Sequence, residues 1–188
     1  MRPLVNTLML ALTAALSTTV HAQAATSAYP EKPIKIVIPY SAGGGTDQYI
    51  RIVSKRVAEK LGQPIMIINK PGGSTVIGMN SVISADPDGY TLLVSTNTSY
   101  TLIPYVMSPK PYSPEASLDY IGVVGETAMV FTAHSSMPDS LATVVDNAKK
   151  QPEAFNYATY GVGSSTHLAG EMFMNDTGTK FQHIPYKG

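Results

Sequence analysis

The sequence contains no cysteine in its 188 residues. Disulfide bonds, a thiol nucleophile and cysteine metal ligands are therefore excluded, and we expect no lipid anchor on an amino-terminal cysteine. A net charge is absent as well, because 13 lysines and arginines balance 13 aspartates and glutamates without a basic block. We therefore expect no nucleic-acid partner, and an anion bound by this protein must be held by local dipoles rather than by overall charge.

Long apolar runs are also missing. The apolar stretch over residues 8–16 is too short, and too interrupted by threonine, to span a membrane. With Arg2 before it and Val20-His21-Ala22 after it, this stretch predicts a cleavable signal peptide over residues 1–22. Ala24 offers a second cleavage position, so the predicted cut lies between residues 22 and 24. We expect a periplasmic protein without a membrane anchor.

A run of glycines between a predicted strand and a predicted helix is the main sign of a binding site. Residues 34–38 are apolar and β-branched enough for a buried strand, and apolar residues recur at helical spacing over residues 50–61. Residues 39–47, the first glycine loop, join the two, and either Thr46 or Asp47 is the predicted N-cap. Amides in the first turn of a helix lack intrahelical partners, and the helix dipole adds positive character. The pattern predicts an anion site.

Two nucleotide-binding alternatives do not match the loop. A Walker loop ends in Gly-Lys-Ser or Gly-Lys-Thr, whereas Thr46 and Asp47 follow the glycines here. The dinucleotide fingerprint needs a third glycine at the position of Gln48. A simple tight turn remains the alternative to an anion site.

Strand and helix signals alternate after the first helix. Strands are predicted at residues 64–69 and 90–95, with a helix at residues 76–85 between them. The second glycine loop, residues 70–74, follows the first of these strands, and the polar residues 96–99 follow the other. This alternation predicts a parallel sheet covered by helices, with ligands beyond the carboxyl ends of its strands.

The second half of the chain repeats the opening unit. Strands are predicted at residues 119–125, 128–133, 155–160 and 181–184, and a helix at residues 140–150. Residues 161–167, the third glycine loop, lead into a helix with Leu168, Met172 and Phe173 on its predicted inner face. Two such units predict two lobes whose helix N-termini face one ligand across a cleft.

Single residues of the third loop have other interpretations. Ser164 or Ser165 suits an N-cap, and His167 suits a packing role, a capping role or a general base. The alternative function is an exported serine hydrolase acting near Ser165 and His167, although no G-x-S-x-G elbow is present. The histidines lack H-E-x-x-H spacing, so we expect no metal and no cofactor.

Short motifs along the chain also carry a family resemblance. They are Tyr29-Pro30-x-Lys32-Pro33-Ile34, Gly43-Gly44-Gly45-Thr46-Asp47, Leu61-Gly62-Gln63-Pro64, Asn69-Lys70-Pro71-Gly72, Pro87-Asp88-Gly89-Tyr90-Thr91-Leu92-Leu93, Ser165-Thr166-His167-Leu168-Ala169-Gly170-Glu171 and Pro185-Tyr186-Lys187-Gly188. Together they resemble the periplasmic receptors of the tripartite tricarboxylate transporters, the Bug or TctC family.

The resemblance implies an α/β, type II periplasmic binding fold with two lobes and mostly parallel sheets. It implies a receptor, not an enzyme, that closes on a small di- or tricarboxylate or related organic acid and delivers it to a membrane permease. The implied ligand contacts are Tyr40, Ser41, Gly43, Gly44, Gly45, Thr46, Asp47, Asn97, Thr98, Gly163, Ser164, Ser165, Thr166 and His167.

Two departures from the family pattern concern the identity of the ligand. Ser41 stands where proline is frequent, and Ile103-Pro104 stands where Asn-Pro is common. Family members are also considerably longer than this chain. The resemblance therefore implies the amino-terminal part of a receptor, with residues 23–122 in lobe one and residues 123–188 in lobe two, both incomplete at the carboxyl end.

Overall fold

The computed structural model describes residues 29–187, and the predicted signal peptide and its cleavage position lie outside this range. The chain divides into two units, Met1–Glu31 and Lys32–Gly188. The described residues of the first unit, 29–31, form no helix or strand. Everything below concerns the second unit. No helix in the described range is both long and apolar enough to cross a bilayer.

A three-stranded parallel sheet is built from the first half of this unit. Strand β1 (Ile34–Ile38) lies between β2 (Ile65–Asn69) and β3 (Thr91–Leu93), in the order β2-β1-β3. Ile36 pairs with Ile67 on one side and with Leu92 on the other. This pairing confirms the predicted parallel sheet. The strands are parallel because each crossover contains a helix that returns the chain to the edge of the sheet at which the strands begin.

The two crossover helices are α1 (Gly45–Leu61) and α2 (Val76–Ile83). Helix α1 ends where predicted, at Gly62, which adopts the left-handed conformation with φ of 68°. Its predicted start is wrong, because the N-cap is Gly44 and neither Thr46 nor Asp47. Asp47 lies in the first turn instead, where its carboxylate reaches back to the N–H of Gly43.

The core of this part holds two clusters. One joins β1 to α1 through Ile36, Ile38, Tyr40 and Ile50. The other joins Met79 of α2 to Ile103 and Tyr112, which belong to the irregular segment after β3. That segment contains a π-helical turn (Thr98–Leu102) and the short helices α3 (Ile103–Val106) and α4 (Pro114–Ser117).

The last part of the chain holds helix α5 (Leu141–Lys150), strand β4 (Asn156–Thr159), helix α6 (Ser165–Thr177) and strand β5 (Gln182–Pro185). Strands β4 and β5 are parallel, with Tyr157 opposite His183. Ser140 is the N-cap position of α5. Its predicted buried side was Leu141, Val144, Val145 and Ala148, of which Val144 and Ala148 are buried, whereas Leu141 is 48% exposed. Ser164 caps α6, since its hydroxyl accepts from the N–H of His167.

The strands predicted at residues 119–125 and 128–133 are not formed. These residues have no regular secondary structure and are exposed, with Ile121 85% and Val123 82% accessible to solvent. Their β-branched composition favours an extended backbone, but a strand also needs a neighbour that pairs with it. Among the described residues no strand lies beside this segment.

The inner face predicted for α6 is also wrong in part, because Leu168 and Met172 are 41% and 58% exposed. The helix instead packs through Gly170, where an added Cβ would come within 2.4 Å of the Tyr157 ring. Phe173 lies on this side as well, 6.1 Å from Phe181 between ring centroids. The small residue allows close approach to β4, and this contact decides which side of the helix is buried.

Candidate functional site

The first glycine loop is held in shape by a buried carboxylate. Asp47 is 2% exposed, and its carboxylate accepts from Gly43 N–H at 2.8 Å, Arg51 Nε at 2.9 Å and Asn69 Nδ2 at 3.0 Å. The hydrogen bonds from Arg51 and Gly43 lower the pKa of Asp47 to about 2. Asn69 also donates to the carbonyl oxygen of Tyr40 at 3.1 Å, so the network ties both ends of the loop to β2. The buried Asp47 carboxylate therefore stabilises the conformation of the first glycine loop.

A group of hydroxyls lies beyond β1 and β3. The Tyr40 hydroxyl shares a hydrogen bond of 2.6 Å with Thr96 Oγ1 and accepts one of 3.3 Å from Ser95. Such groups can donate or accept, and they carry no charge. Because β1 and β3 are adjacent and parallel, their carboxyl ends place these side chains together, as predicted for this edge of the sheet.

The third glycine loop meets the end of β3 directly. The N–H of Ser165 donates to Thr98 Oγ1 at 3.1 Å, although the two residues are 67 positions apart in the chain. The Ser165 hydroxyl is also hydrogen-bonded to the hydroxyl of Tyr160. The Tyr160 ring in turn packs edge-on against Tyr40, with centroids 6.0 Å apart. The first and third loops, predicted to face one another, are thus joined through Tyr40, Tyr160, Thr98 and Ser165.

A cavity of about 260 Å³ opens beside this junction. It is lined by Pro39, Tyr40, Gly72, Gly73, Ser74, Thr75, Tyr160, Gly161, Val162, Pro185, Tyr186 and Lys187. Three of these stretches follow the parallel strands β1, β2 and β4, and the fourth is the last residue of β5 with the two residues after it. The cavity therefore lies at the carboxyl ends of strands from both sheets, where α/β proteins bind ligands.

The predicted contact residues occupy different places around this cavity. Tyr40 is in the wall, and Ser41 donates to the carbonyl oxygen of Lys187 at its rim, at 3.3 Å. The start of α1 holds Gly43, Gly44, Gly45, Thr46 and Asp47, outside the wall. Also outside the wall are Thr98, Gly163, Ser164, Ser165, Thr166 and His167, and Asn97 is exposed. Which of them contact a ligand stays a prediction.

The second glycine loop is the part of the wall that the sequence prediction missed. The last three residues of this loop, 72–74, and Thr75 after it all have positive φ, at 119°, 57°, 49° and 83°. Such values suit Gly72 and Gly73, but they strain Thr75, because its branched side chain clashes with the backbone in this region. Strain of this kind is commonly retained at binding sites. The available signal was the position of Gly72 and Gly73 after a strand, which matches the first loop.

Thr75, a residue of the cavity wall, carries a buried hydroxyl without a partner. Its residue is 3% exposed, and its hydroxyl makes no hydrogen bond of normal geometry. The phenol of Tyr112 lies beside it but donates to the carbonyl oxygen of Ser99 at 2.9 Å. Burial raises the pKa of Tyr112, and the nearby Thr75 hydroxyl lowers the same pKa by a smaller amount. Within the described chain, the backbone N–H groups of Ser74 and Thr75 also have no acceptor.

The geometry at Ser165 and His167 gives no support to a serine nucleophile with a histidine base. The Ser165 hydroxyl is bonded to Tyr160 and lies 3.4 Å from Thr98 Oγ1. His167 uses Nδ1 to accept from Gly163 N–H, and its Nε2 lies 3.4 Å from Glu171. Because both ring nitrogens are engaged elsewhere, the bond between nucleophile and base that such chemistry needs is missing. The described residues also contain no group of three or more ligands suited to a metal ion.

Comparison with known proteins identifies the family. The sequence model of the tripartite tricarboxylate transporter family receptor, TctC, matches residues 49–188. The chain belongs to this receptor family. Among TctC relatives, a UPF0065 protein of Bordetella pertussis is 35% identical over 161 residues, covering 85% of this chain and 50% of that protein. The chain spans about half the length of the curated relatives it matches.

Solved structures of the TctC type share the fold. The periplasmic binding protein BugD is 30% identical with a TM-score of 0.72, over 85% of this chain and 54% of that one. The R. palustris protein Rpa4515, solved with adipate, is 26% identical with a TM-score of 0.72 over the same shares of the two chains. These matches confirm the predicted family and the α/β periplasmic binding fold with parallel sheets. They leave the predicted lobe boundaries, residues 23–122 and 123–188, as a prediction.

Proposed function

We propose that this chain forms part of a periplasmic receptor that binds a small ionised carboxylate in the cavity between the three glycine loops. The observation that carries the proposal is the cluster of unpartnered donors at Ser74 and Thr75, in the wall of a cavity that Tyr160 and Gly161 also line. A buried donor without an acceptor costs free energy, and a bound carboxylate would supply the missing acceptor. Adipate in the structure of Rpa4515 is consistent with a ligand of this class.

The walls suit an anion that is held mainly by neutral groups. Lys187 is the single lining residue with a charged side chain, and the other polar groups are hydroxyls and backbone amides. Hydrogen bonds from such groups to a carboxylate contribute about 1.5–3 kcal/mol each. The cavity volume lies near the small end of the usual range for ligand pockets, about 300 Å³, which favours a small organic acid.

The remaining parts of the proposal follow from the family. The family name, tripartite tricarboxylate transporter family receptor, supports the further proposal that this receptor is exported to the periplasm and delivers its ligand to a membrane permease. The predicted signal peptide over residues 1–22 supports the first part. The engagement of both His167 ring nitrogens with Gly163 and Glu171 favours a receptor over the serine hydrolase.

Thr75→Val tests the proposed binding site. Valine keeps the branched shape but removes the hydroxyl, so the free protein should be equally stable or slightly more stable. If the hydroxyl contacts the ligand, affinity for adipate should fall about tenfold, which corresponds to about 1.4 kcal/mol. Isothermal titration calorimetry with adipate and malate measures the affinity, and thermal unfolding of the free protein measures the stability.

Ser54→Ala is the matched control. Ser54 carries the other buried hydroxyl without a partner in the described chain, but it lies on α1 outside the cavity wall. Its removal should leave carboxylate affinity unchanged. Equal affinities in wild type and Thr75→Val would exclude the hydroxyl from the site, and no response to any organic acid would contradict the proposed function.

A further inference from the structure

Three aromatic rings are stacked behind the third glycine loop. Tyr157 of β4 stacks on His183 of β5 with centroids 4.9 Å apart, and His183 stacks on His167 of α6 at 4.1 Å. The planes of the two histidines differ by 17°. Two imidazoles so close together disfavour the doubly protonated state, because like charges at this distance repel.

Each histidine is linked to one glycine of the loop. His167 Nδ1 accepts from the N–H of Gly163 at 3.1 Å. His183 Nε2 is hydrogen-bonded at 2.7 Å to Thr159 Oγ1, which accepts from the N–H of Gly161 at 3.2 Å. Gly161 belongs to the cavity wall, and both glycines have positive φ, at 140° and 76°. The ring stack therefore fixes the backbone of the loop from the side away from the cavity.

The bond to Gly163 specifies the protonation state of His167. A ring nitrogen that accepts an N–H carries no proton, so His167 is the neutral tautomer with its proton on Nε2. That nitrogen faces Glu171 of the same helix at 3.4 Å. A proton added at Nδ1 would face the N–H of Gly163, so two donors would oppose each other and the bond would be lost.

Other titratable groups face His167 from each neighbouring element. Glu171 on α6 favours a positive charge there, whereas His183 on β5 opposes a second charge. Tyr157 on β4 donates to the same Glu171 carboxylate at 2.9 Å and stays neutral, since burial and Glu171 raise its pKa. Burial and the proximity of His167 lower the pKa of His183. The Glu171 carboxylate lies 3.4 Å from His167 Nε2, and it also acts on His183, where it opposes part of the lowering of the pKa.

We propose that His167 is a positioning residue for ligand binding, and that its protonation releases Gly163 and weakens carboxylate binding as the pH falls. The proposal rests on the function proposed above. Neutral His167 holds the loop in the conformation that shapes the cavity at Gly161 and Val162. Imidazolium at this position removes that restraint, so ligand would bind tightly near neutral pH and be released on acidification.

Two substitutions of His167 distinguish the role of its Nδ1 from the role of its Nε2. In His167→Asn the side-chain oxygen takes the place of Nδ1, so it can still accept from Gly163 but cannot titrate. In His167→Gln the amide reaches the place of Nε2, near Glu171, and the acceptor for Gly163 is lost. Adipate affinity is measured by calorimetry on the full chain from pH 8 to pH 5, the interval in which imidazoles titrate.

The wild type should lose about tenfold in adipate affinity across this interval, since one buried donor loses its acceptor. His167→Gln should bind about tenfold more weakly already at pH 8. His167→Asn should recover most of that loss and show a flat pH profile, which also excludes protonation of adipate as the cause. His134→Asn is the matched control: His134 Nδ1 accepts from Ser136 N–H at 3.2 Å, but this residue is exposed and outside the cavity wall.

Nuclear magnetic resonance supplies a readout that needs no ligand. The imidazole ¹⁵N shifts of His167 should report the tautomer protonated at Nε2, and the amide proton of Gly163 should shift with the titration of this ring. If no acid binds but this coupling is seen, the proposed function fails, and only the link between protonation of His167 and the Gly163 amide stands. If adipate binds with the same pH profile in wild type and His167→Asn, or equally well to His167→Gln, the positioning role is overturned.

Discussion

The carboxylate of Asp47 accepts hydrogen bonds from three groups that are apart in the sequence: the N–H of Gly43, the guanidinium of Arg51 and the amide of Asn69. It lies in the first turn of α1, where the helix dipole also favours a negative charge. The left-handed backbone of Gly43, with φ of 84°, brings its N–H to this carboxylate. The shape of the first loop is thus set by one buried side chain as well as by its glycines.

Asp47→Asn should destabilise the protein by about 1–2 kcal/mol at pH 7. Asparagine at position 47 can still accept from the N–H of Gly43, but the ion pair with Arg51 is lost. The new amide group would also place its hydrogens against those of Asn69, so two donors would face each other. The pKa of Asp47 is about 2 in the folded protein, below its ordinary value of 3.8, so its contribution is present above pH 4 and disappears as the pH falls toward 2. Urea unfolding of both proteins at several pH values measures this difference.

The stability difference between wild type and Asp47→Asn should therefore narrow below pH 4. Asp139→Asn is a suitable control, because Asp139 is exposed and its substitution should change little at any pH. A difference that stays constant from pH 7 to pH 2.5 would contradict the assigned role of the Asp47 charge.

Helix α2 approaches the first two glycine loops through a residue without a side chain. A Cβ added to Gly78 would lie 2.6 Å from Cβ of Pro39 and 2.9 Å from the carbonyl oxygen of Lys70. Pro39 is part of the cavity wall, and Lys70 begins the second loop. The backbone atoms of Pro39 and Lys70 cannot move aside as the end of a flexible side chain can. The position of α2 and the shape of the cavity are therefore coupled through Gly78.

Gly78→Ala should destabilise the protein by about 1–3 kcal/mol, as overpacked core positions do. Gly45→Ala is the matched control within a helix, because nothing lies within 4 Å of its added Cβ and its φ is not left-handed. That substitution should leave stability unchanged or raise it by up to about 1 kcal/mol. Chemical denaturation measures both, and equal stabilities of the two variants would show that α2 can shift without cost.

At the scale of the whole molecule, the described chain differs in stability from one part to another. Strand β1 is paired on both sides and its residues Ile34, Val37 and Ile38 are almost fully buried. Residues 119–133 are exposed, and among the described residues their backbone N–H groups have no acceptor. Segments with few buried contacts and unprotected amides open with a small free energy.

Hydrogen exchange measured by mass spectrometry should therefore show fast exchange over residues 119–133 and slow exchange over β1. Strand β1 serves as the internal reference in the same sample. Exchange over residues 119–133 should not depend on protein concentration. Protection of this segment equal to that of β1 would contradict the expectation, because it would require a pairing partner for these residues.

Much of the first sheet and the loops that follow it was predictable from the sequence alone. The run of β-branched residues at 34–38, the glycines after it and the helical period up to Leu61 specify their own local structure, because each depends on neighbours a few residues away. For the same reason, Gly62 ends α1 where predicted, and Ser164, one of the two predicted N-caps, begins α6. The alternation of strand and helix then predicted parallel pairing. The family followed from motifs distributed along the whole chain.

Only the tertiary structure decided which residues surround the cavity. The second glycine loop had the same sequence signal as the first, yet its place in the wall depends on the order β2-β1-β3 and on the approach of Gly161 to Ser74. The strand-like residues 119–133 stayed unpaired, and α6 turned Gly170 toward Tyr157 and left Leu168 exposed. Local pattern determines what backbone conformation a segment prefers, whereas pairing, burial and a shared cavity depend on residues far apart in the chain. The contact between Thr98 and Ser165 is of this second kind, because neither residue alone specifies its partner.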